Sequence, residues 1–403
     1  MSRVRPWWVL FVLAWWVGGL QMIHPVGWGF GQGFEMSAVA KSLAEHGTYA
    51  DPFAPLMTGP TAVVPPLYPV AMSVVFRLFP GPTAGVLLTV ANVLANAAIA
   101  ALMPWLAVVL CGRAGPGIFA GLLWLGAMRL TPQWDASFTT TALILFVGLT
   151  ARGGRSWRWA LASAVAAGVI TLANPAAVMI LGPWMMYLLW GRVSWGEAAR
   201  LLAIFGIVVA AVNVPWVVRN YQIWHAFVVR SNFGITLYSS NVDCAQSSLL
   251  GEQRNGCYAA TFPVESQSEA SRVRQLGEIN YDREQGARAV AWIRSHPRRF
   301  AELTAARVVD FWFPEPGAPV HTYYAIWLIT LLSVPGIVLM ARDRMPVVCF
   351  MGALWAVYPL MYYFVVSLSR YRYPVLWSSL VPAGYFLWVV WVWVSRFGSA
   401  RPA

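Results

Sequence analysis

Of the sixteen carboxylates in this 403-residue chain, Glu35 and Asp135 stand where an acid is hardest to explain by solvation alone. Glu35 follows shortly after the first apolar run, PWWVLFVLAWWVGGLQMI, and Asp135 is the acid of a short turn in PQWDASFTTTALIL. Carboxylates are costly in hydrocarbon and rare beside it, so an acid at a membrane edge is a functional candidate by default. The plain alternative for Glu35 is a favourable place at the positive end of a helix, with Gly33 close before it. A carboxylate so placed can take the proton of an attacking hydroxyl, and arginines can hold a leaving phosphate bidentately. Arg370 and Arg372 flank Tyr371 in SRYRYP, Arg219 follows PWVV, and Lys41 lies six residues beyond Glu35 on the same predicted helix. These four are the expected phosphate-binding cations. The alternative reading is interfacial snorkelling for the arginines and a solvated helix face for Lys41. Gln32, Tyr68 and Tyr371 are expected to line the substrate.

The elements that must position these residues are membrane helices. With 59% hydrophobic residues, 11% charged residues and a mean hydropathy of +0.58, the chain is too apolar for a soluble globular protein, where charged residues make up about 25%. The net charge of +12 comes from 27 arginines and the single Lys41. Twelve of those arginines fall in segments assigned to the cytoplasm, so the basic balance reports membrane topology rather than nucleic-acid binding. Apolar runs long enough for a ~30 Å hydrocarbon core begin near 7, 84, 116, 136, 157, 176, 199, 322, 346 and 374, predicting about ten transmembrane helices. The first resembles a signal peptide, but the bulky Gln21-Met22-Ile23 offers no cleavage site, so it reads as a retained helix. Residues 65–80, PPLYPVAMSVVFRLFP, are apolar but short and interrupted by Arg77. If they crossed, the basic segments at 150–159, 341 and 395 would land outside; they are therefore placed along the outer surface.

On this map both termini are cytoplasmic, 14 of the 16 acids face outward, and the chemistry lies outside a plasma membrane. The expected protein is an all-α polytopic membrane protein. Residues 1–217 form a transmembrane module with a first outer loop at 24–82, 218–321 a large, partly helical outer loop, and 322–403 the C-terminal membrane helices. In the large loop, EINYDREQGARAVAWIRSHPRRFAELTAARVVDFW has apolar residues at intervals of three and four, predicting a surface helix pair. Cys244 and Cys257, thirteen residues apart on the oxidising side, are expected to form a disulfide, whereas Cys111 and Cys349 read as inert apolar residues. The chain has no CxxC, HExxH, Walker or GxGxxG motif, and its five histidines lack ligand spacing, which leaves nucleotide-binding and zinc-hydrolase readings without support. No motif demands a cofactor, although a divalent metal is compatible with the two acids. The absence of an Asn-x-Ser/Thr sequon leans toward a prokaryotic membrane.

The blocks FEMSAVAKSLAEHGTYADPF, TGPTAVVPPLYP, PQWDASFTTTALIL, LANPAAV, PWVVRNYQIWHAFVVRSNFG, GEINYDREQGARAVAWIRSHPRRF and SRYRYPV occur in this order along the chain. Together they resemble the GT-C superfamily of multispanning glycosyltransferases, in particular bacterial proteins similar to protein O-mannosyltransferases and the aminoarabinose transferase of lipid A. The resemblance covers nearly the whole chain. It implies transfer of a hexosyl or pentosyl unit from a polyprenyl-phosphate donor to an extracytoplasmic acceptor, whether protein, lipid or cell-envelope glycan. One departure stands out: where the family carries an Asp-Glu pair at the opening of the first loop, this chain has Gln32 and Gly33, and the acid comes about one helical turn later at Glu35. Either Glu35 takes over the role, or Asp135 does, or the chain is a relative with altered activity. Two other classes stay in view. A transporter or flippase of lipid-linked sugar would show inverted repeats and mid-membrane polar sites, which are not evident here. A non-catalytic polyprenyl-lipid-binding relative is kept open by the missing pair.

Overall fold

The computed structural model describes residues 6–23 and 34–398, and within them the chain is helical, with two isolated bridges as its only extended pairing. The helices are α1 (Pro6–Ile23), α2 (Glu35–His46), α3 (Leu67–Leu78), α4 (Pro82–Cys111), α5 (Gly115–Ala127), α6 (Ala136–Arg152), α7 (Trp157–Ala173), α8 (Val178–Leu189) and α9 (Trp195–Trp224). The large outer loop contributes α10 (Phe233–Ser239), α11 (Leu249–Arg254), α12 (Cys257–Thr261), α13 (Gln267–Leu276), α14 (Glu278–Ser295) and α15 (Pro297–Trp312). The chain closes with α16 (Val320–Arg342), α17 (Val347–Val357) and α18 (Tyr373–Gly398).

Each of the ten expected apolar segments falls on a helix, but among the described residues only α4, α9, α16 and α18 are both long and apolar enough to cross a membrane. The other six, α1, α5, α6, α7, α8 and α17, run from 11 to 18 residues. Hydropathy counts residues without asking where a helix breaks. Pro175 opens a separate 3-10 turn before α8, and α17 passes into another at Tyr358. The boundary expected at 217/218 lies inside α9, which continues to Trp224. It begins earlier than expected because the Ser194 hydroxyl caps it, accepting from Glu197 N at 3.3 Å. The 12 residues of α3 make about 18 Å of helix, well short of a ~30 Å core. The expected helix pair of the large loop is α14 and α15, joined at His296-Pro297.

Two cores hold these elements. The larger is built from α1, α4, α5, α6, α8 and α16 to α18, around the fully buried Trp124, Trp184 and Trp377. Its helices approach closely where glycine allows it: a Cβ on Gly336 of α16 would run into the Pro382 carbonyl of α18. The second core joins α2 and α3 to the large loop through Met36, Val39, Tyr68, Met72, Phe262 and Val273. In α2 the buried residues Glu35, Met36, Val39 and Ala40 recur on one face. Burial of Met36 and Val39 contributes roughly 1.5–3 kcal/mol each, which fastens Glu35 in the interior. The helix stops at Gly47, whose left-handed φ of 70° lets its N–H reach the Leu43 carbonyl.

Candidate active site

The turn between α5 and α6 carries Asp135 as the N-cap of α6, 7% exposed. Its Oδ2 accepts from Thr139 Oγ1 at 2.7 Å and from Asn174 Nδ2 at 3.1 Å. Thr139 lies one turn along the same helix, and Asn174 ends α7, where Pro175 prevents the helix from continuing. The Asn174 amide is itself fixed, its Oδ1 accepting from Ala176 N at 3.2 Å. Both donors thus converge on one carboxylate oxygen, and Asp135 Oδ1 takes no side-chain hydrogen bond from the described residues. Burial raises the carboxyl above its ordinary value, opposed by the Thr139 and Asn174 bonds and by the charge of Arg230.

Two cavities meet beside this turn. The smaller, about 280 Å³, is lined by Asp135, Asn174, Arg230, Tyr362, Arg370 and Tyr371 among others. The larger, about 810 Å³, includes Arg129, Asp310, Glu315, His321, Tyr323 and Arg370 in its lining. Trp134 and Arg370 belong to both, and the guanidinium lies 3.4 Å from the centre of the Trp134 ring. Glu35 itself lines neither cavity, although Phe34 before it lines the larger and Met36 after it the smaller. The Glu35 side chain is 7% exposed. Burial raises its pKa, opposed first by Arg370 and then by its own backbone and Arg230. Among the described residues neither Glu35 nor Asp135 is in an ion pair, the salt bridges lying elsewhere.

The structure therefore brings Glu35, Asp135, Arg370 and Tyr371 to one place. Tyr68 is adjacent: its hydroxyl donates to the Pro132 carbonyl at 2.5 Å and its ring packs on Phe138, which supports the Asp135 turn from behind. Arg219 and Arg372 line neither cavity. Arg219 donates to the carbonyls of Thr61 at 2.7 Å and Tyr49 at 2.9 Å and is enclosed by Tyr49, Trp216 and Trp224. Arg372 is 2% exposed, donates to the Trp312 carbonyl at 2.6 Å and stacks on the Trp312 ring. Both tie helices to loops, because the nearest acceptors are backbone carbonyls of neighbouring elements. Lys41 is half-buried on α2 and lines neither cavity. Gln32 lies outside the described residues. Cys244 and Cys257 form a disulfide with Cα atoms 5.5 Å apart. It brings a residue that sequence reasoning missed: Tyr258, next to Cys257, feels the charges of both Glu35 and Arg370.

Arg230 and Asn174 were also missed. Arg230 lies in the block PWVVRNYQIWHAFVVRSNFG beside the more conspicuous Arg219, and nothing local marks which of the two faces a cavity. For Asn174 the signal was the Asn-Pro dipeptide, which locates a turn but not its partner. No three His, Cys, Asp or Glu come together as a metal-ligand set among the described residues. The cations that face the two carboxylates are arginines.

No protein-family profile matches the chain, and no curated protein sequence matches it. Solved structures do. The chain superposes on the archaeal oligosaccharyltransferase AglB from Archaeoglobus fulgidus, determined with an inhibitory peptide and a dolichol-phosphate, with a TM-score of 0.56 at 13% identity over 98% of this chain and 52% of that one. Against the Archaeoglobus fulgidus oligosaccharyltransferase in its apo form the TM-score is 0.58 at 13% identity, covering 100% of this chain and 53% of the other. The chain shares the fold of these archaeal structures. This chain spans about half the length of the archaeal proteins it matches. At this identity the likeness establishes the fold alone, and the activity must be argued from the site itself.

Proposed function

We propose that this membrane protein is a glycosyltransferase that moves a sugar from a polyprenyl-phosphate donor to an acceptor on the extracytoplasmic side. The observation that carries the reading is one shared wall. Trp134 and Arg370 line both cavities, Asp135 and Arg230 line the smaller one, and Glu35 lies behind them within the field of Arg370 and Arg230. Transfer requires an acceptor hydroxyl to lose its proton while its oxygen bonds to the anomeric carbon. The bond from that carbon to the phosphate oxygen breaks at the same centre, and the phosphate leaves with the electron pair. Glu35 takes the proton; burial raises its pKa, which makes its ionised form more basic than an exposed carboxylate. Arg370 and Arg230 hold the phosphate as charge develops on it. Asp135, held through Oδ2, turns its other oxygen toward the acceptor.

The two cavities suit two substrates meeting at one wall, and the archaeal relative was determined with both a peptide and a dolichol-phosphate. The arginine asymmetry supports an orientation in which this wall faces outside a plasma membrane and both termini lie in the cytoplasm. The test supplies purified protein with polyprenyl-phosphate-linked hexoses and pentoses together with cell-envelope acceptors, and follows glycan mass. Transfer that disappears in Glu35→Gln supports the reading. Binding of polyprenyl phosphate without transfer of any sugar would reduce the protein to a lipid-binding relative.

A further inference from the structure

Three distant stretches of chain meet on one buried carboxylate that the reaction above does not use. Glu278, the first residue of α14, is 3% exposed. It accepts from Thr61 Oγ1 at 2.5 Å, from Ala62 N at 2.7 Å and from the Ser231 hydroxyl. Ser231 adjoins Arg230, and the two strands of this junction also bind each other directly. Arg230 Nε donates to the Val63 carbonyl at 2.7 Å, and Ser231 N to the Ala62 carbonyl at 3.1 Å.

One turn further along α14, Asp282 Oδ1 accepts from Ile235 N at 3.0 Å. A Cβ on Gly234 would collide with the Asp282 carbonyl, so α10 lies directly against α14. The segment that follows Arg230 is therefore fastened at residues 231 and 235 by carboxylates four residues apart on one helix face.

Burying Glu278 has a cost, since burial pushes its carboxyl up to about 7 against the bonds from Ser231, Thr61 and Ala62 and the charge of Arg219. A single missing partner would leave buried donors unsatisfied, which makes the junction all-or-none. What it fixes is the place of the Arg230 guanidinium in the wall of the smaller cavity, within the field of Asp135.

We infer that Glu278 is a positioning residue for Arg230, locking residues 61–63 against 230–235 so that the guanidinium stands in the cavity wall. The role given to Arg230 rests on the transferase reading; the lock itself does not. Full-length protein in detergent is compared as wild type, Glu278→Ala, Glu278→Gln, Arg230→Ala and the Glu278→Ala/Arg230→Ala double variant. Hydrogen exchange of the amides in 58–66 and 226–236 should rise at least about tenfold in Glu278→Ala, the scale of a lost buried bond to a charged group, with the membrane helices unchanged. Affinity for undecaprenyl phosphate, followed by native mass spectrometry, should fall by about tenfold in the same variant. Glu278→Gln should restore most of both, because its amide oxygen still accepts from Ala62 N and Ser231. The double variant should bind no worse than Arg230→Ala, since a displaced arginine and an absent one fail alike. Unchanged local exchange in Glu278→Ala, exchange raised evenly over the whole protein, or single effects that multiply in the double variant would each overturn the inference. Wild-type protein that binds no undecaprenyl phosphate would sink the donor reading alone, because the exchange data still decide the lock.

Discussion

Replacing Glu35 by Gln separates the base from everything else in the cavity wall. The substitution keeps shape and removes one negative charge from a side chain that is 7% exposed. Because burial already disfavours the ionised form of Glu35, the neutral amide should fold at least as well, with a melting temperature equal to or above wild type. Donor affinity should hold or rise. Arg370 and Arg230 lose a competing counter-charge and the donor phosphate loses a like-charged neighbour. Turnover moves the other way. Loss of a general base lowers rate by about 100-fold or more, roughly 2.7 kcal/mol of barrier at about 1.4 kcal/mol per tenfold. The assay is sugar transfer from a polyprenyl-phosphate donor by purified Glu35→Gln and Asp135→Asn, with donor binding and thermal melting measured on the same samples. In Asp135→Asn the amide oxygen can still accept from Thr139 and Asn174, so its fold is kept and its activity loss should be the smaller. Near-normal turnover in Glu35→Gln refutes the assignment. Inactivity confined to Asp135→Asn would transfer the role of base to that residue.

The two outer arginines should part company. Arg370→Lys should weaken undecaprenyl phosphate binding by about tenfold because the bidentate fork is lost, while Arg372→Lys, beneath Trp312 and away from both cavities, should lower the melting temperature instead; the opposite pattern would reverse their roles. Exchanging both Cys244 and Cys257 for Ser should cost ~3 kcal/mol of stability for a loop of this size. It should also slow transfer, because Tyr258 beside Cys257 lies within the field of Glu35; a reduced protein that melts and reacts like the oxidised one would count against both effects. Glu252, buried in the large loop, is pushed by burial from 4.5 up to about 8. A raised folded-state pKa gives stability that is complete below about pH 4.5 and is lost as pH climbs through about 8. Melting temperature should therefore fall across that window, and Glu252→Gln should flatten part of the slope; an identical slope in the variant would show that Glu252 does not titrate there.

The sequence by itself determined what depends on local order. Hydropathy and spacing placed all ten apolar segments on helices, put Glu35 at the start of α2, and found the helix pair of the large loop. Charge asymmetry kept α3 off the list of crossings, and with 12 residues it is one of the shorter apolar helices. Tertiary structure alone decided which arginines face the cavities. Arg219, Arg230, Arg370 and Arg372 look alike in sequence, yet only Arg230 and Arg370 line the smaller cavity, while Arg219, Arg230 and Arg372 donate to carbonyls of remote elements. The same holds for Asn174, which reaches Asp135 across 39 residues, and for Glu278, which meets Thr61 across 217. Helix periodicity is set within a few turns of chain, whereas the partner of a buried polar group is whichever donor or acceptor packing brings within about 3 Å.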